Sequence, residues 1–219
     1  MYGKTPYSTE KDIVPIAVVA SVPMLLVANP SLSAKSISEL IALAKKEPDS
    51  LSYATFGNGS AGHLAGALFT NQAGIKMTHI PYKGAALALT DVIAGQIQFS
   101  FEGGALPYIR AGKVKALGVS SPRRTAAMPE LPTLAELGLP GFEAFVWNGL
   151  VAPAGTPRPV IERLQQEINK LIRTPDMTER LAAIGGEAVG GTPEQFAAWI
   201  KLESARWGRL IDQLGIKPQ

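Results

Sequence analysis

Leu51-Ser52-Tyr53-Ala54-Thr55-Phe56-Gly57-Asn58-Gly59-Ser60-Ala61-Gly62 passes from a strand-like run into a glycine turn and on into a helix start. Residues 51–56 read as a short strand. Ser60 opens a helix that continues to Ala73 and stops at Gly74, where a left-handed residue is easiest. The cadence then repeats. Residues 77–80 are a strand, 85–94 a helix, and Gly95 its stop. Gln96-Ile97-Gln98-Phe99-Ser100-Phe101 alternates polar and apolar residues, as a half-buried strand does. A short helix over 106–111 ends at Gly112, and 114–119 is the next strand. Strand, glycine turn and helix in succession predict an α/β lobe with substantially parallel pairing.

Working outward, residues 13–19 and 24–28 are aliphatic strands separated by Val22-Pro23. Ser36-Ile37-Ser38-Glu39 is a capping box, followed by Ile37, Leu40, Ile41 and Ala44 at helical spacing. Downstream, Pro122, Pro129, Pro132 and Pro140 mark an irregular connector with one short helix capped by Thr133 and Glu136. Residues 145–151 form a strand. After that the pattern is helical only. Thr156-Pro157 opens a helix with Ile161, Leu164, Ile168 and Leu171 on one face, and Thr174-Pro175 opens another that ends at Gly185. Thr192-Pro193-Glu194-Gln195 caps the longest helix, whose stripe is Phe196, Trp199, Ile200, Trp207, Leu210 and Leu214. The two tryptophans there read as core. The chain is lopsided: one α/β lobe, then three helices with too little sheet to cover.

Composition narrows the function. The 219 residues are 46% hydrophobic and 18% charged, with mean hydropathy +0.12, which excludes a mainly disordered chain. Net charge is +3, and the densest basic groups are the pairs Lys45-Lys46 and Arg123-Arg124, so no nucleic-acid-binding stripe is present. With no cysteine there is no disulfide, Cys–Zn site or thiol chemistry. No apolar run reaches the length of a spanning helix. Met1-Tyr2-Gly3-Lys4-Thr5-Pro6 lacks a signal-peptide core, so the expectation is a chain without an export signal.

Gly57-Asn58-Gly59-Ser60-Ala61-Gly62 satisfies G-x-G-x-x-G, the dinucleotide fingerprint. That fingerprint needs an acid at the end of the next strand, but the strand runs into His79-Ile80-Pro81-Tyr82-Lys83-Gly84, and the nearest acid, Asp91, falls in a helix. What remains is a helix N-terminus capped by Ser60, which favours an anion, or else a purely structural turn. The second turn lies at the same carboxyl-terminal sheet edge and adds the Lys83 cation and the Tyr82 ring and hydroxyl. The third turn is Phe101-Glu102-Gly103-Gly104, whose carboxylate either receives a ligand cation or caps the next helix. Catalysis is poorly supported. His63 and His79 are the only histidines and show no metal-ligand spacing; Asn58 stands where a nucleophile elbow around Ser60 requires glycine.

Together with Tyr53-Ala54-Thr55-Phe56 before it and His63-Leu64-Ala65-Gly66 after it, the first turn resembles the Bug (TctC-like) solute-binding receptors of tripartite tricarboxylate transporters. The second turn does too, as do Ala111-Gly112-Lys113, Leu131-Pro132-Thr133-Leu134-Ala135-Glu136, Pro140-Gly141-Phe142-Glu143, Trp147-Asn148-Gly149-Leu150 and Ala152-Pro153-Ala154-Gly155-Thr156-Pro157. The resemblance implies a periplasmic-binding-protein-like (type II) two-lobed α/β fold, without catalysis or cofactor, that delivers a small carboxylate to membrane permease subunits in the periplasm. It implies that residues 1–21 are part of lobe one and the crossover, 22–143 a complete ligand-binding lobe two, and 144–219 the return crossover and C-terminal helices of lobe one. The N-terminal part of lobe one, with its export signal and a Gly-rich loop, is expected to be missing, leaving the C-terminal helices uncovered and prone to self-association. The expected ligand-binding residues are Gly57, Asn58, Gly59, Ser60, Ala61, Gly62, His63, Tyr82, Lys83, Gly84 and Glu102, with no catalytic residue and no metal. The alternative reading is a fragment of a dinucleotide-binding α/β oxidoreductase that uses the 57–62 turn.

Overall fold

In the computed structural model of the chain, residues 6–216 are described. Met1-Tyr2-Gly3-Lys4-Thr5, most of the segment read for a signal-peptide core, lies outside them. The elements in order are β1 (Ile13–Pro23), β2 (Leu25–Ala28), α1 (Ile37–Lys46), β3 (Ser52–Thr55), α2 (Ala61–Ala73), β4 (Thr78–Pro81), α3 (Ala85–Ile93), β5 (Phe99–Glu102), α4 (Leu106–Arg110) and β6 (Lys115–Val119). They continue with β7 (Phe145–Pro153), α5 (Arg158–Leu171), α6 (Pro175–Ala183), β8 (Glu187–Gly190) and α7 (Pro193–Leu214). Two compact units result. One comprises residues 22–146 with 183–185; the other gathers 1–21, 147–182 and 186–219.

The first of these units is built on a five-stranded sheet in the order β4-β3-β5-β2-β6. β3 pairs parallel with both β4 and β5, while β2 runs antiparallel to both β5 and β6. The expectation of substantially parallel pairing is therefore corrected: β2 is an inverted strand set into a parallel array. It follows β1 after a single residue, Met24, with no crossover helix between them. The carboxyl ends of β3, β4, β5 and β6 still share one edge.

Strand alternation distributes the core. Leu25, Val27 and Ala54 face α3 and pack on Ala88, Leu89 and Val92. On the opposite face Phe69 of α2 packs against Phe99 and Phe101, and Phe142 stacks on Phe101. Tyr53 joins this layer, stacked 5.9 Å from Phe99. Its ring sits where a Cβ on Gly66 would lie 2.2 Å from Cε2, so α2 approaches the sheet only because residue 66 is glycine.

Several local expectations need correction. β1 continues through Val22-Pro23, where a break was expected, and the strand read over 96–101 is paired only from Phe99 to Glu102. Thr133 and Glu136 do form reciprocal capping bonds (Glu136 N–H to Thr133 Oγ1 3.1 Å; Thr133 N–H to Glu136 Oε2 2.7 Å), yet the segment is a turn and not a helix. Gly138, at φ +97°, follows too soon for one to extend.

In the other unit a three-stranded sheet has the order β7-β1-β8. β8, which sequence patterning did not reveal, pairs antiparallel with β1 through Val18–Gly190 and Ala20–Ala188. Ile16, Ala17, Ala152 and Ile161 form a small core. Phe196 and Leu210 of α7 are buried, whereas Trp199 and Trp207 are half-buried. Trp207 donates its indole N–H to Glu203 Oε2 at 2.8 Å. Leu164, Leu171 and Leu202 remain exposed.

Candidate functional site

The turn after β3 is held by its own side chains. Gly57 (φ +134°) and Gly59 (φ +73°) take conformations that other residues rarely adopt. Ser60 is the N-cap of α2: its Oγ accepts from His63 N–H at 3.3 Å, and its proton goes to the Gly57 carbonyl at 2.7 Å. Gly59 N–H donates to His63 Nδ1 at 3.1 Å, which fixes that imidazole as the tautomer protonated at Nε2. Ser60 N–H returns to the Gly57 carbonyl. The Gly59 and Ser60 amides and the Ser60 hydroxyl are thus committed internally. Those of Ala61 and Gly62, the first two positions of the helix, have no hydrogen-bond partner among the described residues. A side chain at position 62 would meet Phe56 Cε1 at 3.0 Å and the Phe101 carbonyl at 3.2 Å, so this first helical turn lies directly against the end of β5.

His63 faces His79 of β4 in a parallel stack, and His79 in turn stacks on Tyr53 at 5.1 Å. Thr55 Oγ1 lies 2.7 Å from His79 Nε2. Burial lowers both imidazoles from their ordinary value; His79, with the His63 ring beside it as a second cause, falls to about 4. Both rings are neutral at physiological pH. They brace the turn and offer no cation.

The second turn is bound to the first by Tyr82 N–H donating to the Thr55 carbonyl at 2.9 Å. Tyr82 directs its hydroxyl to Asp91 Oδ2 of α3 at 2.6 Å, and burial together with that contact raises the phenol to about 12. The hydroxyl proton is therefore already donated within the lobe, and what Tyr82 presents is its ring. Lys83 is exposed with no ion pair among the described residues. Gly84, at φ +132°, is the N-cap of α3 and supplies no side-chain cap.

Glu102, at the end of β5, is 2% exposed. It caps nothing: Ala105 is the N-cap of α4, which has no side-chain cap, and this removes the helix-cap alternative. Its Oε1 lies 2.8 Å from Ser100 Oγ, itself 2.9 Å from the Ala54 carbonyl. Burial pushes the Glu102 carboxyl up to about 7, outweighing the opposite pull a donated hydroxyl would exert. The inward-facing Ser100 carried no sequence signal beyond strand alternation. Among the described residues no group of three or more His, Cys, Asp or Glu could hold a metal, and no helix is long and apolar enough to cross a membrane. No acidic residue stands at the end of β4 for a ribose, as a dinucleotide would need.

The model of the tripartite tricarboxylate transporter family receptor (TctC) matches residues 1–216. The chain belongs to this family. A UPF0065 protein of the tcbD-tcbE intergenic region from Pseudomonas sp. strain P51 is 41% identical over 213 residues, 96% of this chain and 63% of that one. Protein BugT of Bordetella pertussis is 36% identical over 97% of this chain and 66% of its own length. The chain thus spans just under two thirds of the length of these relatives. Among solved structures, Rpa4515 of Rhodopseudomonas palustris with adipate superposes with a TM-score of 0.94 at 33% identity, covering 100% of this chain and 74% of the other. The periplasmic binding protein BugD gives 0.89 at 34% identity (100% and 75%), and MatC of R. palustris with bound malate 0.88 at 30% (96% and 73%). The TctC chain has their α/β, type II periplasmic-binding-protein fold.

Proposed function

We propose that this TctC chain is the ligand-holding part of a periplasmic solute-binding receptor that captures a small carboxylate without turning it over. The observation that carries the reading is the pair of uncommitted amides, Ala61 and Gly62, at the first turn of α2, beside the second turn with its exposed Lys83. A carboxylate accepts from the two N–H groups, Lys83 supplies the charge, and the Tyr82 ring forms a wall. Asn58 and Gly84 shape the rims, Gly57, Gly59 and His63 hold the turn, and Glu102 lies at the third turn. Water bridges part of such a polar contact. The ligands of Rpa4515 and MatC, adipate and malate, are dicarboxylates, and both proteins share the fold at 30% identity or more. Residues 22–143 would be the lobe that carries these groups, with 1–21 and 144–219 belonging to the other. The cargo then passes to membrane permease subunits of the transporter.

Calorimetry against adipate, malate and tricarboxylates tests this, on the chain extended to the full length of its relatives. Saturable carboxylate binding that is lost in Ser60→Asp supports the reading. Binding of NAD with no carboxylate bound would overturn it. We also propose self-association through Leu164, Leu171 and Leu202, apolar residues exposed on α5 and α7. Sedimentation showing a monomer at all concentrations rejects that.

A further inference from the structure

The geometry around Ser100 and Glu102 contains one hydrogen too few if Glu102 is ionised. Ser100 Oγ is within hydrogen-bond distance of two oxygens, the Ala54 carbonyl at 2.9 Å and Glu102 Oε1 at 2.8 Å. A hydroxyl has one proton, and a carbonyl can only accept. If Glu102 is a carboxylate, one of the two short contacts sets lone pair against lone pair in a buried place. If Glu102 carries a proton, both contacts are satisfied: Glu102 donates to Ser100 Oγ, and Ser100 donates to the Ala54 carbonyl. Burial acts in the same direction, since no cation offsets the charge there.

We propose that Glu102 is a neutral carboxylic acid in the carboxylate-binding state, so that capture of a carboxylate at this sheet edge is coupled to retention or uptake of one proton. The coupling rests on the reading of the 57–62 turn as a carboxylate site. Its route is short: Phe101, the residue before Glu102, sets its carbonyl against Gly62 on the first turn of α2. A negative charge on Glu102 opposes an anion arriving at that turn through a low-dielectric interior. Loss of the proton to solvent leaves carboxylate and H⁺, and binding takes the same proton back.

The other titratable groups on the elements packed against β5 are few. β2 has none. Tyr53 of β3 points to the opposite face, where it stacks on Phe99. His63 of α2 is in its stack with His79, and Asp91 of α3 holds the Tyr82 hydroxyl. None of them supplies a charge that would ionise Glu102.

Two measurements decide it, the first on the chain and the second on the chain extended to the full length of its relatives. The first needs no ligand: the side-chain ¹³C resonance of Glu102 is followed against pH, in the wild type and in Ser100→Ala. A midpoint near neutrality that falls when the Ser100 acceptor is removed supports the proposal. A midpoint in the ordinary carboxylate range, or a rise in Ser100→Ala, overturns it, because Ser100 would then be the donor. The second is calorimetry with adipate and malate at pH 6 and pH 8, in buffers of different ionisation enthalpy. Roughly tenfold weaker binding at pH 8, with proton uptake, is expected if only the protonated form binds. In Glu102→Gln the ratio between the two pH values should collapse to about one. Binding without pH dependence overturns this inference alone. No carboxylate binding at either pH overturns the underlying site reading and the coupling with it, leaving the proton on Glu102 to the resonance titration.

Discussion

The imidazole rings of His63 and His79 lie face to face, their centroids 3.9 Å apart and their planes 4° from parallel. Two rings that close cannot both become imidazolium without strong repulsion, and His63 Nδ1 already accepts from Gly59 N–H. The stack therefore joins a strand of the sheet to the glycine turn only while it is neutral.

Lowering the pH should loosen this joint. With His79 titrating near 4 in the fold and at 6.5 in the unfolded chain, the unfolded state binds more protons between these values. The stabilising contribution is complete above pH 6.5 and is lost as pH falls toward 4. Thermal melts of wild type and His79→Gln at pH 4.5, 5.5 and 7 should show the wild type losing its advantage toward acid. The slope should stay below the ~1.4 kcal/mol per pH unit of one fully linked proton, because the rings are half-exposed.

Glu102 pulls the other way. Its carboxyl titrates near 7 in the fold and near 4.5 unfolded, so the folded state binds more protons across that window, and its contribution falls as pH rises through it. Glu102→Gln should gain on the wild type by an amount that grows from pH 4.5 to 7, on the order of 3 kcal/mol at most. A constant difference across the window would contradict the assignment.

Gly66→Ala should be among the most damaging single-methyl changes in this lobe. The new Cβ would lie 2.2 Å from Tyr53 Cε2, and the Tyr53 ring is itself held between His79 and Phe99. Overpacking of this kind costs about 1–3 kcal/mol or more. Gly74→Ala meets no atom within 4 Å and incurs only the left-handed backbone cost at φ +62°, about 1 kcal/mol. Urea denaturation of both variants gives the order.

Ser60 separates capping from ligand contact. Ser60→Ala removes the acceptor for His63 N–H and should cost about 1 kcal/mol. Ser60→Asp restores a cap but places a negative charge beside Ala61 and Gly62. Denaturation should find Ser60→Asp near wild-type stability, and calorimetry should find no carboxylate binding.

What could be read from sequence was the part governed by local rules. The α2 start, the Gly74 stop and the α7 capping box are each encoded within four residues, and all stand in the fold. The inversion of β2 was hidden, because strand direction is set by pairing with β5 and β6, far along the chain. β8 was hidden too: Glu187-Ala188-Val189-Gly190 leaves three of four residues exposed and has no alternation to detect. At the site, sequence marked the glycine turns and Glu102. It could not show that the Tyr82 hydroxyl and the Gly59 amide are already committed, since their partners, Asp91 and His63, matter only through orientation.

The inverted strand also shapes how this unit comes into being. β2 is made before its hydrogen-bonding partners, β5 and β6, the last strands of the sheet. Until residue 119 is available, the seam between β5 and β6 cannot close around it. Such non-local pairing slows folding, because loop-closure entropy must be overcome before the contacts reward it. Leu25, Leu26 and Val27, buried at the end, are uncovered throughout that interval. The nascent chain thus has a wholly apolar strand waiting for its neighbours, a segment prone to aggregation until they arrive.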